Sequence, residues 1–211
     1  MNADSLNSRD VSRQQQVGNL LKVHSKSRVL EAAALEFSEH GYSGATVGRI
    51  AKRAGVTVQT LYSAWGSKRE LLHGYLESQL AGDFHEPGEF GDRFIGLGPN
   101  EVLETLAEVF TETAERASLG WRLYRDAAAI DSLIAADWIE FQKLRLATFG
   151  RLVSLIPNSS LKAGIRFEQA RDTAWAIASP DVYELLVSQQ NYSLKTFRDW
   201  LGTTLKASLL R

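Results

Sequence analysis

The chain has 211 residues, no cysteine and a net charge of −1 at pH 7. This length allows one large domain or two small ones, and the lack of cysteine excludes a disulfide framework and thiolate chemistry. No apolar run reaches the roughly 18 residues of a membrane span, and the N-terminus has no apolar signal-peptide region. We therefore expect a cytoplasmic protein without a membrane segment.

Four prolines and few alternating β-branched runs predict an all-α protein. Its charge is unevenly distributed: residues 22–69 contain eight Lys/Arg against three Asp/Glu, whereas residues 81–211 contain fourteen against eighteen. DNA binding requires a basic patch and not a basic protein. The N-terminal third is therefore the candidate DNA-binding region.

Residues 1–26 are polar and lack an apolar period, which predicts a flexible arm. The basic residues of this arm are placed to follow DNA phosphates, although an idle tail is the alternative: Arg9, Arg13, Lys22 and Lys26. A first helix is predicted over residues 27–40, ending at Gly41, with acidic residues that face away from DNA: Glu31, Glu36 and Glu39. The expected inward residues are Leu30, Ala33, Ala34 and Phe37.

A short helix is predicted after Thr46, because apolar residues recur at positions i, i+3, i+4 and i+7: Val47, Ile50, Ala51 and Ala54. Thr46 is the expected N-cap, and Gly55 is the expected left-handed residue after the last turn.

A second short helix is predicted to end near Trp65, with Thr57 as its N-cap. Its helical projection places Leu61 and Trp65 inward and Gln59 and Ser63 outward. Two helices around a Gly-containing turn are typical of the helix-turn-helix, whose second helix enters the major groove. An ordinary helical hairpin with a solvated face is the alternative.

The run from Val29 to Leu72 resembles the DNA-binding domain of TetR-type bacterial transcriptional repressors. The matching residues are Ala32, Ala33, Phe37, Gly41, Tyr42, Thr46, Val47, Ile50, Ala51, Ala54, Gly55, Val56, Leu61, Tyr62, Ser67, Lys68 and Leu71. Members usually have Phe at the position of Trp65, and often His or another polar residue at Ala64. The second departure removes one expected phosphate contact.

The expected contacts with double-stranded DNA come from the two short helices and the start of the next one. Gln pairs with adenine, Thr offers a methyl group to thymine, and Tyr or Ser donates to phosphate. A capping box of Ser67 and Glu70 is predicted to begin the following helix, and the resemblance implies that its Lys68 contacts the DNA backbone. The full set is Thr46, Arg49, Thr57, Val58, Gln59, Thr60, Tyr62, Ser63 and Lys68.

Residues 82–99 are rich in Gly and Pro and predict a loop between two domains, with the DNA-binding domain at 27–81 and a second helical domain at 82–211. About five helices are expected after it. The first is capped by Asn100, the second runs from about Leu119 to Ala135, and the third, from Asp137 to Ile156, is apolar nearly all round, which predicts burial on all sides.

Two amphipathic C-terminal helices suit the four-helix interface of a two-fold dimer, and the resemblance implies that they form a homodimer. Packing within one chain is the alternative. The expected interface residues are Ala170, Ala174, Leu185, Phe197, Leu201 and Leu205.

The resemblance also implies that a small-molecule effector binds the second domain and changes the separation of the two DNA-reading helices. Effector pockets are mostly apolar with a few polar groups, and Arg145 interrupts an aromatic stripe where it could meet a carboxylate. Core packing is the alternative for all of these residues. The candidates are Trp121, Tyr124, Trp138, Phe141, Arg145 and Trp175.

An enzyme is not expected, because no pair of the four histidines has metal-ligand spacing and no G-x-S-x-G occurs. We expect no catalytic residue, metal or cofactor. The resemblance implies a ligand-responsive dimeric regulator, acting as a repressor, and a dimer of this kind requires a palindromic operator. A ligand-independent DNA-binding protein and an activator are the alternatives.

Overall fold

The computed structural model describes residues 26–81 and 89–211, which divide between Tyr75 and Leu76 into two compact units. The predicted N-terminal arm, apart from Lys26, lies outside the described residues, as do residues 82–88 of the predicted loop. Within the described ranges, no helix is both long enough and apolar enough to cross a membrane. The predicted domain boundaries stay predictions.

The first unit contains three helices and the start of a fourth. Residues 26–44 form α1, followed by α2 (Val47–Ala54), α3 (Val58–Trp65) and α4 (Lys68–Ala81), which continues into the second unit. Helix α1 extends beyond the predicted end at Gly41, where φ is +67°. The large apolar side chains at the centre of this unit's core are at most 1% exposed: Phe37, Ile50, Leu61, Leu71 and Leu72.

The second unit is built around α6, which packs against α7 and α10, while α8 packs against α7 and α10. Its elements are α5 (Glu89–Asp92), α6 (Pro99–Ala128), α7 (Ser132–Val153), a 3-10 turn (Asn158–Ser160), α8 (Phe167–Ile177), α9 (Pro180–Tyr183), a π-helix (Glu184–Gln189) and α10 (Leu194–Leu209).

The start of α6 corrects the sequence prediction. Asn100 is not the N-cap, because the helix begins at Pro99 and the carboxylate of Glu101 accepts from the Gly98 N–H at 2.7 Å. The two helices predicted on either side of residue 115 are one continuous helix. Ala114 and Ala117, in the middle of α6, are completely buried. The middle of the helix therefore packs against its neighbours, as its ends do, and the helix continues through this region.

The start of α7 also differs from the prediction. Asp131 caps it, accepting from the backbone N–H groups of Leu133 at 2.9 Å and Ile134 at 3.3 Å. The helix therefore begins five residues before Asp137. The prediction that the helix from Asp137 to Ile156 is buried on all sides was wrong, because Ile139 is 55% exposed and Leu144 is 69% exposed. Neighbouring helices cover only the opposite side of α7.

Trp65, at the end of α3, packs against Gly74 of α4. A Cβ atom at position 74 would lie 2.7 Å from Cη2 of Trp65 and closer still to Cζ3. The larger ring at the position where TetR-type members usually have Phe therefore fits because the facing residue has no side chain.

We predict that Gly74→Ala lowers the free energy of unfolding by roughly 1–3 kcal/mol, because the added methyl group overpacks the Trp65 ring. In a Trp65→Phe background the same change should stabilise the protein by up to about 1 kcal/mol, since alanine favours a helix over glycine. Urea unfolding of the four variants measures this cycle. The same sign of effect in both backgrounds would refute the packing argument, and Gly48→Ala, with open space around it, is the control.

Candidate nucleic-acid interface

The predicted turn between α2 and α3 is confirmed. The Thr46 hydroxyl accepts from the Arg49 N–H at 3.3 Å and begins α2. At the other end, Gly55 has φ 67° and ψ 34°, and Val56 N–H donates to the Ala51 carbonyl at 3.0 Å. This bond and the left-handed glycine close the C-terminus of α2 and direct the chain into α3.

One side chain of α3, that of Leu61, packs into the core, and most of the other side chains are exposed to solvent. Thr57 accepts from the Thr60 N–H at 3.0 Å, as the prediction of an N-cap requires, and Leu61 is completely buried. The residues predicted to read DNA bases and phosphates all lie on its exposed surface: Val58, Gln59, Thr60, Tyr62 and Ser63. Their contact with DNA stays a prediction.

A buried carboxylate joins α1 to α2. Glu36, which was expected to face away from DNA, is only 1% exposed and accepts a hydrogen bond from Arg49 Nε. Arg53 lies 3.7 Å from the second oxygen of Glu36 and donates two hydrogen bonds to Glu39, at 2.9 and 2.5 Å. These hydrogen bonds lower the pKa of Glu39.

This network changes the interpretation of the basic patch. Arg49, a predicted DNA contact, also donates to the Gly44 carbonyl, so its guanidinium holds the α1–α2 corner. Arg28, which the sequence reading missed, donates to the Ala54 carbonyl at 2.5 Å at the end of α2. Part of the positive charge counted between residues 22 and 69 is therefore used inside the unit and not offered to DNA.

Lys68 has a structural role at the start of α4. Its ammonium donates to the carbonyls of Tyr42 at 2.8 Å and Ala45 at 3.1 Å, and lies 4.2 Å from the centre of the Tyr42 ring. A cation is favourable beside the free carbonyls at the end of a helix. Lys26, expected near phosphates, lies 5.5 Å from the centre of the Trp65 ring.

Three of the aromatic residues predicted to bind an effector form a layer of stacked rings between α6 and α7 in the second unit: Tyr124, Trp138 and Phe141. The ring centres of Tyr124 and Trp138 are 6.2 Å apart, and those of Trp138 and Phe141 are 5.4 Å apart. Trp121 and Trp138 line a cleft between α6, α7 and α9 whose volume is about 10 Å³, room for about one water molecule. The other four candidates do not line this cleft.

Arg145 forms no ion pair with a carboxylate of the described residues. Its guanidinium donates to Gln142 Oε1 at 3.1 Å, to the Ala178 carbonyl at 3.2 Å and to the Trp175 carbonyl. It lies 4.8 Å from the centre of the Trp175 ring and 5.4 Å from that of Phe149. Burial lowers the pKa of Arg145 to about 10, which leaves it charged at neutral pH.

Five of the six predicted dimer residues have no surface to offer a second chain, because each is completely buried within one chain: Ala170, Ala174, Phe197, Leu201 and Leu205. These side chains are core between α6, α8 and α10, and the sequence pattern could not distinguish that core from an interface. Leu185, in the π-helix, is 52% exposed and remains available for a contact between copies.

The fold and the exposed surface of α3 define a helix-turn-helix protein of the DNA-binding class. Residues 29–75 match the family model described as bacterial regulatory proteins, tetR family. HTH-type transcriptional repressor SCO4008 of Streptomyces coelicolor is 42% identical over 55 residues, which are 26% of this chain and 29% of that protein.

HTH-type transcriptional repressor KstR2 of Rhodococcus jostii is 28% identical over 163 residues, which are 71% of this chain and 76% of that protein. The crystal structure of NalD, described as the secondary repressor of the MexAB-OprM multidrug efflux pump in Pseudomonas aeruginosa, matches with a TM-score of 0.67 at 17% identity. That alignment covers 90% of this chain and 98% of NalD. At this identity the likeness shows the fold alone.

The resemblance to TetR-type regulators is confirmed for residues 29–75, which match the family model, and the relatives and structural neighbours of the chain are TetR-family transcriptional regulators, which are not enzymes. The predicted fold class, an N-terminal helix-turn-helix domain followed by a C-terminal helical domain, is confirmed.

We predict that Glu36→Ala lowers the free energy of unfolding by roughly 1–3 kcal/mol, because it removes the acceptor that joins α1 to α2. The loss stays below that of a fully buried ion pair, since Arg49 is 48% exposed and water can solvate its freed guanidinium. Urea unfolding measures it. Glu31→Ala, on the exposed side of α1, is the control, and equal losses in both variants would contradict the role of Glu36.

Proposed function

We propose that this chain is a dimeric transcriptional regulator, acting as a repressor, that binds a near-palindromic operator through α3 and releases it when a small molecule enters the second unit. The observation that carries the proposal is the exposed polar surface of α3, fixed from behind by the buried Leu61. Such a regulator acts where chromosomal DNA lies, in the cytoplasm.

Base reading is assigned to the middle of α3. Gln59 offers an amide that matches adenine in the major groove, and Thr60 offers a methyl group for thymine. Tyr62 and Ser63 carry hydroxyl groups suited to phosphate oxygens. The hydroxyl groups of Thr57 and Thr60 are 2.8 Å apart, so the first turn of α3 is ordered before DNA arrives.

A dimer supplies the second reading helix. Two copies of α3 must lie about 34 Å apart to enter successive major grooves, which makes the operator a near-palindrome. Because Ala170, Ala174, Phe197, Leu201 and Leu205 are buried within one chain, we propose that the interface uses exposed residues of the same C-terminal region, with Leu185 as its candidate centre.

Effector binding is assigned to the aromatic layer, where the cleft is too small for a ligand unless the helices around it separate. Gly120, next to Trp121 of the cleft, packs on Leu76 of α4: a Cβ at position 120 would lie 3.0 Å from Leu76 Cδ1. Arg116 Nε also donates to the Gln79 carbonyl at 3.3 Å. Movement of α6 would thus act on α4, the helix that begins in the DNA-binding unit.

The small volume of the cleft favours a second candidate function, a DNA-binding regulator that needs no effector. Groove binding alone also leaves the sign of regulation open, so an activator is compatible with the same surface of α3.

The proposed function is tested by selecting preferred DNA from random duplexes with the full chain. A near-palindromic site that the protein binds far more tightly than random DNA, with affinity that falls steeply as salt rises, is the expected result. Gel shifts with added cell extract then test release. No preference for any sequence would contradict the regulator, and binding that no extract weakens would favour the effector-independent function.

We predict that Gln59→Ala costs roughly 1–3 kcal/mol at one base pair of the site and relaxes specificity there. Lys68→Ala should weaken binding to all sequences about equally and also lower stability, because its ammonium binds the carbonyls of Tyr42 and Ala45. Competition gel shifts with single-base variants of the site separate the two effects. Identical profiles for both variants would contradict this division of contacts.

We predict that Leu185→Glu converts the dimer to monomers in sedimentation experiments, because a carboxylate would replace an apolar side chain at the interface. Leu144→Glu, at a similarly exposed position on α7, should leave the dimer intact. If the first variant remained dimeric, the interface would lie elsewhere on the second unit.

A further inference from the structure

Arg145 is a partly buried, charged side chain of the second unit, and no residue in the described part of the chain forms an ion pair with it. Its hydrogen bonds to Gln142, Trp175 and Ala178 use three of the five N–H bonds that a guanidinium carries. The Nε–H group of Arg145 is buried and has no acceptor among residues 26–81 and 89–211. A buried charge is costly unless a partner of opposite charge accompanies it.

The nearest acid does not fill this role. The field of Asp181 raises the pKa of Arg145 slightly against the effect of burial, but its carboxylate accepts from Arg125 at 2.9 Å. Among residues 26–81 and 89–211, no carboxylate lies within 4.0 Å of the Arg145 guanidinium. The missing anion is therefore not supplied by the described part of the chain.

The surroundings of Arg145 indicate what kind of anion would fit. Aromatic rings of Phe149 and Trp175 flank the guanidinium. Trp138 and Phe141, whose ring centres are 5.4 Å apart, lie on the same helix as Arg145. The indole N–H groups of Trp175 and Trp121 are also buried without an acceptor. Flat apolar walls with unpaired donors match a ligand that has an aromatic body and anionic oxygens.

We infer that the effector is an aromatic carboxylate whose oxygens accept hydrogen bonds from Arg145 and Trp175. This inference rests on the proposed function, since it names the class of ligand that would bind the aromatic layer. Pro180 and Asp181, which follow the Ala178 carbonyl bound by Arg145, line the small cleft with Trp121 and Trp138. Widening that cleft would therefore open a path toward the guanidinium.

A purely structural role is the competing explanation. The carbonyls of Trp175 and Ala178 lie at the C-terminus of α8, where the helix dipole favours a cation. In that case Arg145 only ties α7 to the end of α8, and the ligand has no reason to be an anion.

The experiment compares two ligands of nearly equal shape, 1-naphthoate and 1-naphthamide, by titrating the tryptophan fluorescence of the full chain without DNA. The carboxylate should bind at least about tenfold more tightly, because a charge-assisted hydrogen bond to arginine is stronger than a neutral one. Equal affinity for the two compounds, or no binding of either, would overturn the inference.

Arg145→Gln should abolish the preference for naphthoate, whereas Arg151→Gln, an exposed position on the same helix, should retain it. A preference that survives Arg145→Gln also overturns the assignment. If circular dichroism shows that Arg145→Gln does not fold, the comparison of the two ligands on the unsubstituted protein decides alone.

Operator release is measured separately and distinguishes the two proposals. Preferential binding of naphthoate without release of DNA supports the ligand class and contradicts the effector step of the proposed function. Release of DNA by cell extract together with equal binding of acid and amide contradicts only the ligand class.

Discussion

Burial of Leu61 on the inner side of α3 is the contact on which the proposed DNA-reading surface, formed by Val58, Gln59, Thr60, Tyr62 and Ser63, depends. A helix of eight residues is too short to persist in water by itself, and Leu61 is its one fully buried residue. Thr57 orders its first turn, and Trp65 packs on Gly74 at its other end. With one side fixed in this way, the remaining side chains of α3 face outward in a defined orientation, which major-groove recognition requires.

Several charged side chains of the first unit form hydrogen bonds within that unit, and these bonds fix the relative positions of its helices. Glu36 accepts a hydrogen bond from Arg49, and Glu39 accepts two from Arg53. Lys68 donates to backbone carbonyls at the C-terminal end of α1. Each of these cations is therefore positioned by hydrogen bonds, and an approaching phosphate would compete with carboxylates or carbonyls for it. The net positive charge of a segment is a poor measure of the charge it presents to a partner.

The sequence predicted the local structure of the helix-turn-helix well because its signals are short-range. The caps at Thr46 and Thr57 and the left-handed Gly55 follow from side chains and backbone conformations within a few residues. Glu36 was misplaced although it occupies the buried stripe formed with Val29, Ala32 and Ala33, because a carboxylate was assumed to be solvated. The arginines that neutralise it come from a different helix.

The second unit was predicted less accurately, since its features depend on long-range packing. The continuity of α6 through residues 111–118 depends on which helices cover it, and the sequence pattern alone suggested a break. The stripe of Phe197, Leu201 and Leu205 has the same spacing whether it faces another helix of its own chain or a second copy. Aromatic residues of a core and of a pocket likewise look alike until their neighbours and the space between them are known.

The most direct test of the central claim is site-directed DNA cleavage from the outer surface of α3. The protein has no cysteine, so Gln59→Cys provides a single attachment point for an iron chelate that cuts nearby DNA, and Leu144→Cys provides a matched exposed control. Our account predicts two clusters of cuts in the selected operator, centred about one helical turn apart, from position 59 and none from position 144. Cleavage that is absent at position 59, or equal from both positions, would contradict it.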